Sequence, residues 1–276
     1  MTIQRTAPFR ILFLVACAIC LLAAAGFSQP AERGERALSC DGNWGDGSRR
    51  RHCEMKEFSV AASGGVKVDG RQNGGVSVKG WDRNEVLVRA RIEGYGASEE
   101  EAQGITRQIH VETAGAQVRA EGPEMNGNRG WSVSYEVFVP RQSDLSLKTH
   151  NGGISISGVR GHIEFDAVNG GVSLKELSGQ VSGHTVNGGL AIALAGSRWD
   201  GEGMTVKTTN GGVSLTVPEN YSARLETSTV NGGLRFDFPI TMQGKIERDV
   251  AVDLGGGGAT IRATTTNGGV SVKRKS

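Results

Sequence analysis

The chain is poor in the features that announce a known chemistry. There is no HExxH zinc site, no GxSxG nucleophile elbow, no P-loop and no dinucleotide fingerprint, which removes the commonest metalloprotease, serine-hydrolase and nucleotide-binding arrangements. Proline is scarce, at 6 in 276 residues, and the 42 glycines follow no Gly-X-Y period, so a collagen helix is excluded. Excess charge is also missing. Residues 1–28 hold two of the 31 Lys and Arg, Arg5 and Arg10, and none of the 29 acids, so the remainder balances at 29 of each. A neutral chain lacks the broad positive field of a nucleic-acid binder. The one basic run, Arg49-Arg50-Arg51 followed by His52, reads as a solvated loop. What is present is 37 % apolar residues, arranged in alternating stretches that can bury a core.

The N-terminus reads as a secretory signal: a basic segment 1–10, an apolar run of 17 over residues 11–27, then small residues before Gln29-Pro30. Cleavage after Ala25 or Ser28 fits. The run is just long enough to span a bilayer, so an uncleaved anchor is the alternative. Leu14-Val15-Ala16-Cys17 matches an acylation box, but apolar residues rather than polar ones follow Cys17. Cys17 and Cys20 leave with the signal. The two remaining cysteines, Cys40 and Cys53, read as a disulfide in an exported chain. A metal site of Cys40, His52, Cys53 and an Asp lacks a CxxC pair. Asp41-Gly42-Asn43 begins like a calcium loop but has Gly45 at the third ligand position and His52 where the bidentate Glu belongs.

One triplet dominates. Asn-Gly-Gly begins at Asn73, Asn151, Asn169, Asn187, Asn210, Asn231 and Asn267, with spacings of 78, 18, 18, 23, 21 and 36, the last being twice 18. A fixed period with local insertions marks a repeat architecture. Three and five residues after every Asn stand apolar residues, such as Val172 and Leu174 after Asn169, with a mostly small polar residue between. Each triplet therefore launches a strand with one buried face. Apolar residues six before the Asn (Leu145, Ile163, Val181, Met204, Leu225, Ile261) show a second strand entering the turn, and Thr recurs two before, with Ala167 the exception. Asn tolerates the left-handed backbone region and Gly needs no Cβ clearance. Two arrangements fit: antiparallel hairpins forming a β-sandwich, or corners of a coil whose turns stack with parallel strands. The constant 18-residue period favours the coil, about 60 Å around at 3.3 Å per residue. Stacked Asn side chains would form an amide ladder.

The expected organisation is a signal peptide at 1–28, a disulfide-linked cap or loop at 29–57, a β region at 58–139, and the regular repeat at 140–276. The one helix candidate runs from Ser98 to about Arg107, with Ser98 and Glu101 as a capping box. Gly255 to Gly258 reads as a tight corner, because no phosphate-loop pattern follows it.

The segments VPRQSDLSLKTHNGGISISGVRG, HIEFDAVNGGVSLKELSG, VPENYSARLETSTVNGGLRF and LGGGGATIRATTTNGGVSV resemble a widespread bacterial exported family of unknown function, described as adhesin-like and β-strand-repeat-containing. The front segment CDGNWGDGSRRRHCEMKEF with GWDRNEVLVRARIEG is similar to envelope-exported members. The similarity covers roughly residues 36–276. It implies a stacked β architecture, surface or periplasmic location and no established enzymatic activity; some relatives are associated with envelope stress. No residue-level site comes with it.

The remaining candidates are few. The outward column three before each Asn reads Lys148, Asp166, His184, Lys207, Ser228 and Thr264, and the first three would lie about 5 Å apart, rung to rung. That column is what a polysaccharide-active enzyme would need. The histidines, His52, His110, His150, His162 and His184, read as exposed polar residues rather than ligands. Trp199, with Arg198 and Asp200 in the insertion before Asn210, reads as a contact loop or as packing back onto the coil. The reading is a non-enzymatic module at the cell envelope, adhesin-like or scaffolding, without cofactor or metal. Its partner is a protein or glycan and not nucleic acid, with membrane contact only through an uncleaved N-terminus. The alternatives are a polysaccharide-active enzyme and an envelope-stress sensing domain.

Overall fold

A computed structural model of the chain describes residues 37–41, 49–62, 64–240 and 248–275. The expected signal sequence at 1–28, with Cys17 and Cys20, lies outside them, as do Trp44 and most of the calcium-like loop.

The front of the chain contributes β1 (Arg50–Ala61), β2 (Val66–Asp69), β3 (Val76–Trp81) and β4 (Glu85–Gly96), then helix α1 (Glu99–Arg107), β5 (His110–Glu112), β6 (Gln117–Glu121) and β7 (Gly130–Pro140). Short strands then alternate: β8 (Leu145–Thr149), β9 (Ile154–Ser157), β10 (Arg160–Ala167), β11 (Val172–Lys175), β12 (Ser178–Asn187), β13 (Leu190–Ala193), β14 (Gly203–Asn210) and β15 (Val213–Val217). The last are β16 (Ala223–Asn231), β17 (Leu234–Phe236), β18 (Asp249–Leu254), β19 (Thr260–Asn267) and β20 (Val270–Arg274). They form two ten-stranded sheets. The first runs β1-β4-β7-β3-β9-β11-β13-β15-β20-β17, the second β18-β16-β19-β14-β12-β10-β8-β2-β6-β5.

Each Asn-Gly-Gly leads out of a strand of the second sheet and into one of the first, so it is a corner and not a hairpin. Neighbouring rungs pair parallel and in register, as Val172 with Ile154 and Leu190, or Ile163 with Leu145 and Val181. The alternation of apolar residues puts these columns inside, where Ile154, Ile156, Leu174, Val181 and Leu215 are almost fully buried. Volume is matched across rungs: a Cβ at Gly183 would lie 2.6 Å from the ring of Phe165, so the large side chain fills the space the small one leaves.

The order of the rungs departs from the order of the chain. From Asn73 through Asn151, Asn169, Asn187 and Asn210 each corner lies on the one before. The last two are exchanged: β19 sits between β14 and β16, and β20 between β15 and β17. The 36-residue spacing is therefore not two coils. Part of it is β18, antiparallel to β16. The C-terminal strand β20 is interior to the first sheet, and β17 lies at that end of it.

The corner chemistry also differs from expectation. No triplet Asn has a positive φ. The first glycine of the triplet is required by close stacking: a Cβ on Gly170 would overlap the carbonyl oxygen of Gly152, and one on Gly188 that of Gly170. The asparagines meet side by side. The Nδ2 of Asn151 donates to Asn73 Oδ1 (3.1 Å), Asn169 to Asn151, Asn187 to Asn169 and Asn210 to Asn187 (2.8 Å each), Asn267 to Asn210 and Asn231 to Asn267 (2.7 Å each). The recurring threonines reach the neighbouring rung: Thr185 Oγ1 donates to Gly170 O (2.8 Å), Thr208 to Gly188 O (2.6 Å) and Thr265 to Gly211 O (2.7 Å). Ala167 has no hydroxyl to offer Gly152 O, and Thr149 of the same rung takes that acceptor at 2.7 Å.

The front is built otherwise. β1, β4 and β7 are long and antiparallel, and β1 begins at Arg50, so residues 50–57 are strand rather than loop. Cys40 and Cys53 are joined, with Sγ–Sγ 1.98 Å. Helix α1 starts at Ser98, whose Oγ accepts from Glu101 N (3.2 Å), while Glu101 Oε2 accepts from Ala97 N (2.7 Å). It packs on Gly94 of β4, where a side chain would meet Thr106.

Candidate functional site

The outward column of the second sheet brings Lys148, Asp166 and His184 together. Asp166 pairs with Lys148 on one side and His184 on the other, and His184 Nε2 lies 3.6 Å from Asp166 Oδ1 with both side chains about half exposed. The row continues through Lys207, Thr264 and Ser228, the last two in reverse of chain order.

In the other direction it includes a residue that the triplet spacing missed. Asp69 pairs with Lys148, Arg119 with Asp69, and Glu112 with Arg119. Asp69 stands four residues before its Asn instead of three. The extra residue is absorbed at Arg71, whose φ of 53° is in the left-handed region. The Arg71 N–H donates to Asp69 Oδ1 (2.8 Å), and its carbonyl accepts from His150 N (3.0 Å). The signal was available in the sequence: Val68 lies one residue further from Asn73 than Leu147 does from Asn151. The front of the row alternates in sign, Glu112, Arg119, Asp69, Lys148, Asp166. Arg119 Nε is 2.7 Å from Glu112 Oε2, and the hydrogen bond to Glu112 pushes the guanidinium pKa further up.

A depression of about 590 Å³ opens on this row, lined by Asp69, Arg71, Lys148, His150, Asp166 and the indole of Trp131. The ring is held in place: Trp131 Nε1 donates to Pro123 O (2.9 Å), and Gly122 lies against it so closely that a Cβ would be 2.8 Å from the ring. Trp131, carried on β7, is one of the chain's four tryptophans, the aromatics that could mark a glycan platform, and it lies outside the repeat, so no offset from an Asn places it here. His184 does not line the depression.

The insertion 198–200 divides. Trp199 is only 6 % exposed and its Nε1 donates to Gly179 O (3.0 Å), so it packs onto the coil. Arg198 and Asp200 are exposed, and Asp200 pairs with Arg160. His162 bridges two rungs, with Nδ1 2.8 Å from Gln180 Oε1 and Nε2 3.0 Å from Glu164 Oε1. The hydrogen bond to Glu164 raises its pKa above the usual imidazole value. Among the described residues no three His, Cys, Asp or Glu converge as a metal site. The outer face of the first sheet is different in kind, a shallow apolar trough of about 730 Å³ floored by the second glycines of the triplets and by Ser173, Ala191, Ser214 and Ser271.

The family that matches this chain is described as Toastrack DUF4097, over residues 71–273. The chain belongs to that family. Among solved structures it is similar to a candidate cell adhesion protein from Clostridium sporogenes (9 % identity, 81 % of this chain and 100 % of that one, TM-score 0.46). It is also similar to a candidate adhesin from Bacteroides fragilis (10 %, 80 % and 97 %, TM-score 0.39) and a candidate lipid-binding protein from Parabacteroides distasonis (8 %, 80 % and 97 %, TM-score 0.28). Family membership rests on residues 71–273. No curated protein matches the chain. No helix among the described residues is long and apolar enough to cross a membrane.

Proposed function

We propose that this Toastrack protein is a non-enzymatic, adhesin-like interaction module exported to the cell envelope, and that it holds a glycan chain in the Trp131 depression. The observation that carries this reading is the fixed indole beside a row of alternating charges. An immobilised aromatic face offers apolar contact to a sugar ring at little entropic cost, and the flanking Lys148, Asp166 and Asp69 offer hydrogen bonds to hydroxyls. The export reading is supported by the character of residues 1–28, and the disulfide Cys40–Cys53 is consistent with an oxidising compartment.

One observation favours a polysaccharide-active enzyme instead. Asp69 and Asp166 are two strands apart in one row, about 9–10 Å between backbones, near the separation inverting glycosidases use. Against it, Asp69 is engaged by the Arg71 N–H and Asp166 faces His184 with its side chain 47 % exposed. Neither sits in the apolar pocket that keeps a general acid protonated.

The test is retention of the purified chain on immobilised cell-envelope polysaccharide. The glycan reading predicts retention that is lost in Lys148→Ala/Asp166→Ala and in Trp131→Ala, with the melting temperature of the double variant unchanged. Release of reducing ends by the wild type, abolished by Asp166→Ala, would establish the enzyme and overturn the module.

A further inference from the structure

The amide ladder has a direction. In all six contacts the Nδ2 of one Asn donates to the Oδ1 of the next toward Asn73. At the Asn231 end an Oδ1 is left without a donor, and at the Asn73 end an Nδ2 is left without an acceptor among the described residues. Hydrogen-bonded amides in line polarise one another, so Asn73 presents a donor strengthened by the row behind it.

What stands at that end is an excess of positive charge. A depression of about 510 Å³ is lined by Asn73 together with Arg49, Arg91 and Arg129. One carboxylate lines it, Glu93, and it is already engaged. It is 4 % exposed, with Oε1 3.0 Å from Arg51 Nη1 and Oε2 3.3 Å from Arg91 Nη2 and 3.4 Å from Ser132 Oγ. Arg49 has no carboxylate partner among the described residues and rests over the Tyr95 ring at 5.5 Å. Arg129 reaches Glu101 only at 3.7 Å. Arg91 directs Nη1 to the Ser39 carbonyl oxygen (3.4 Å), and its buried Nε has no hydrogen-bond partner among the described residues.

We propose that this depression is an oxyanion site, taking a phosphate or a carboxylate between Arg49, Arg91 and Arg129 with the Asn73 amide as an additional donor. The guanidiniums of Arg49 and Arg129 supply the charge-assisted, forked hydrogen bonds that such groups prefer, and Arg91, whose Nη atoms face Ser39 O and Glu93, adds positive charge. The anion also relieves the repulsion between three cations and the positive end of the ladder. Arg49 precedes β1, Arg91 lies on β4, Arg129 precedes β7 and Asn73 precedes β3, so the site exists only when the long front strands are docked on the first regular rung. Trp131 lines both this depression and the glycan depression. The oxyanion site concerns the anion and not the polymer that bears it, so it stands or falls separately from the glycan reading.

The experiment is an NMR titration of the Asn73 side-chain amide in the intact chain with inorganic phosphate, with glucuronate and with glucose. Phosphate, glucuronate or both shift the resonance, and whichever does so names the acid; glucose does not. Arg49→Gln/Arg129→Gln, both exposed positions, weakens the binding about tenfold, equivalent to 1.4 kcal/mol. Arg198→Gln, exposed on the far insertion, leaves it unchanged. A response to neither acid, or equal affinity in wild type and the double variant, overturns the proposal.

Discussion

Strands β8 to β15 are 4 to 10 residues long and pair parallel with their neighbours in the stack. In the front region β1, β4 and β7 run 12, 12 and 11 residues and pair antiparallel. In the stack, order comes from one contact set used repeatedly: a glycine that admits a carbonyl, an amide on an amide, a threonine hydroxyl on the next rung. In the front nothing repeats. A disulfide, a capped helix and ion pairs to a buried carboxylate, Glu136 with the part-exposed Lys79 and Arg89, each at 2.9 Å, do the same task once each. The stack is thus intolerant at specific backbone positions, whereas the front depends on individual cross-links.

The sharpest way to break that contrast compares adjacent glycines. Gly170→Ala places a Cβ into the Gly152 carbonyl, while Gly171→Ala finds its nearest atom, Gly189 O, at 3.6 Å. The first should cost about 3–5 kcal/mol and the second less than about 1, read from urea midpoints. Equal midpoints would remove close stacking as the reason for the triplet. Next, Cys40→Ala/Cys53→Ala opens a cross-link spanning 13 residues and should cost about 3 kcal/mol, with hydrogen exchange quickening in β1 and β4 and not in β10 to β15. Thr185→Val removes the hydroxyl that satisfies Gly170 O from a fully buried position and should cost about 1–2 kcal/mol. The smallest effect is at His162. Its folded pKa is raised, so its contribution to stability is full below the unfolded imidazole pKa of about 6.5 and is lost as pH rises through the higher folded value. An NMR titration should place His162 above the usual imidazole value, and Glu164→Gln should bring it down.

The same contrast explains what the sequence disclosed. Ile154, Val172 and Leu190 recur at one offset from Asn, and one offset means one depth in the coil, so the core, the parallel stacking and the ladder were readable. The exchange of the last two rungs was not, because the corners at Asn231 and Asn267 carry the same Thr-x-Asn-Gly-Gly and either fits on Asn210. Asp69 was missed because Arg71 adds one residue to its rung. In sequence the triplet reads as a turn in which Asn takes the left-handed region and Gly needs no Cβ clearance; only stacking reveals that no Asn has positive φ and that the clearance is against the carbonyl of the neighbouring rung. Trp131 and the arginines of the oxyanion site lie in the front, where no period exists to relate Arg49, Arg91 and Arg129 before the long strands pair.

The central claim is that the corners lie on one another in register, in the spatial order 73, 151, 169, 187, 210, 267, 231. Paired cysteines test it directly. Ser214 is the register partner of Ser271, and Ser271 that of Arg235. On mild oxidation Ser214→Cys/Ser271→Cys should cross-link, identified by mass after proteolysis, and Ser214→Cys/Arg235→Cys should not. A cross-link in the second pair and none in the first would restore chain order to the stack and contradict this account.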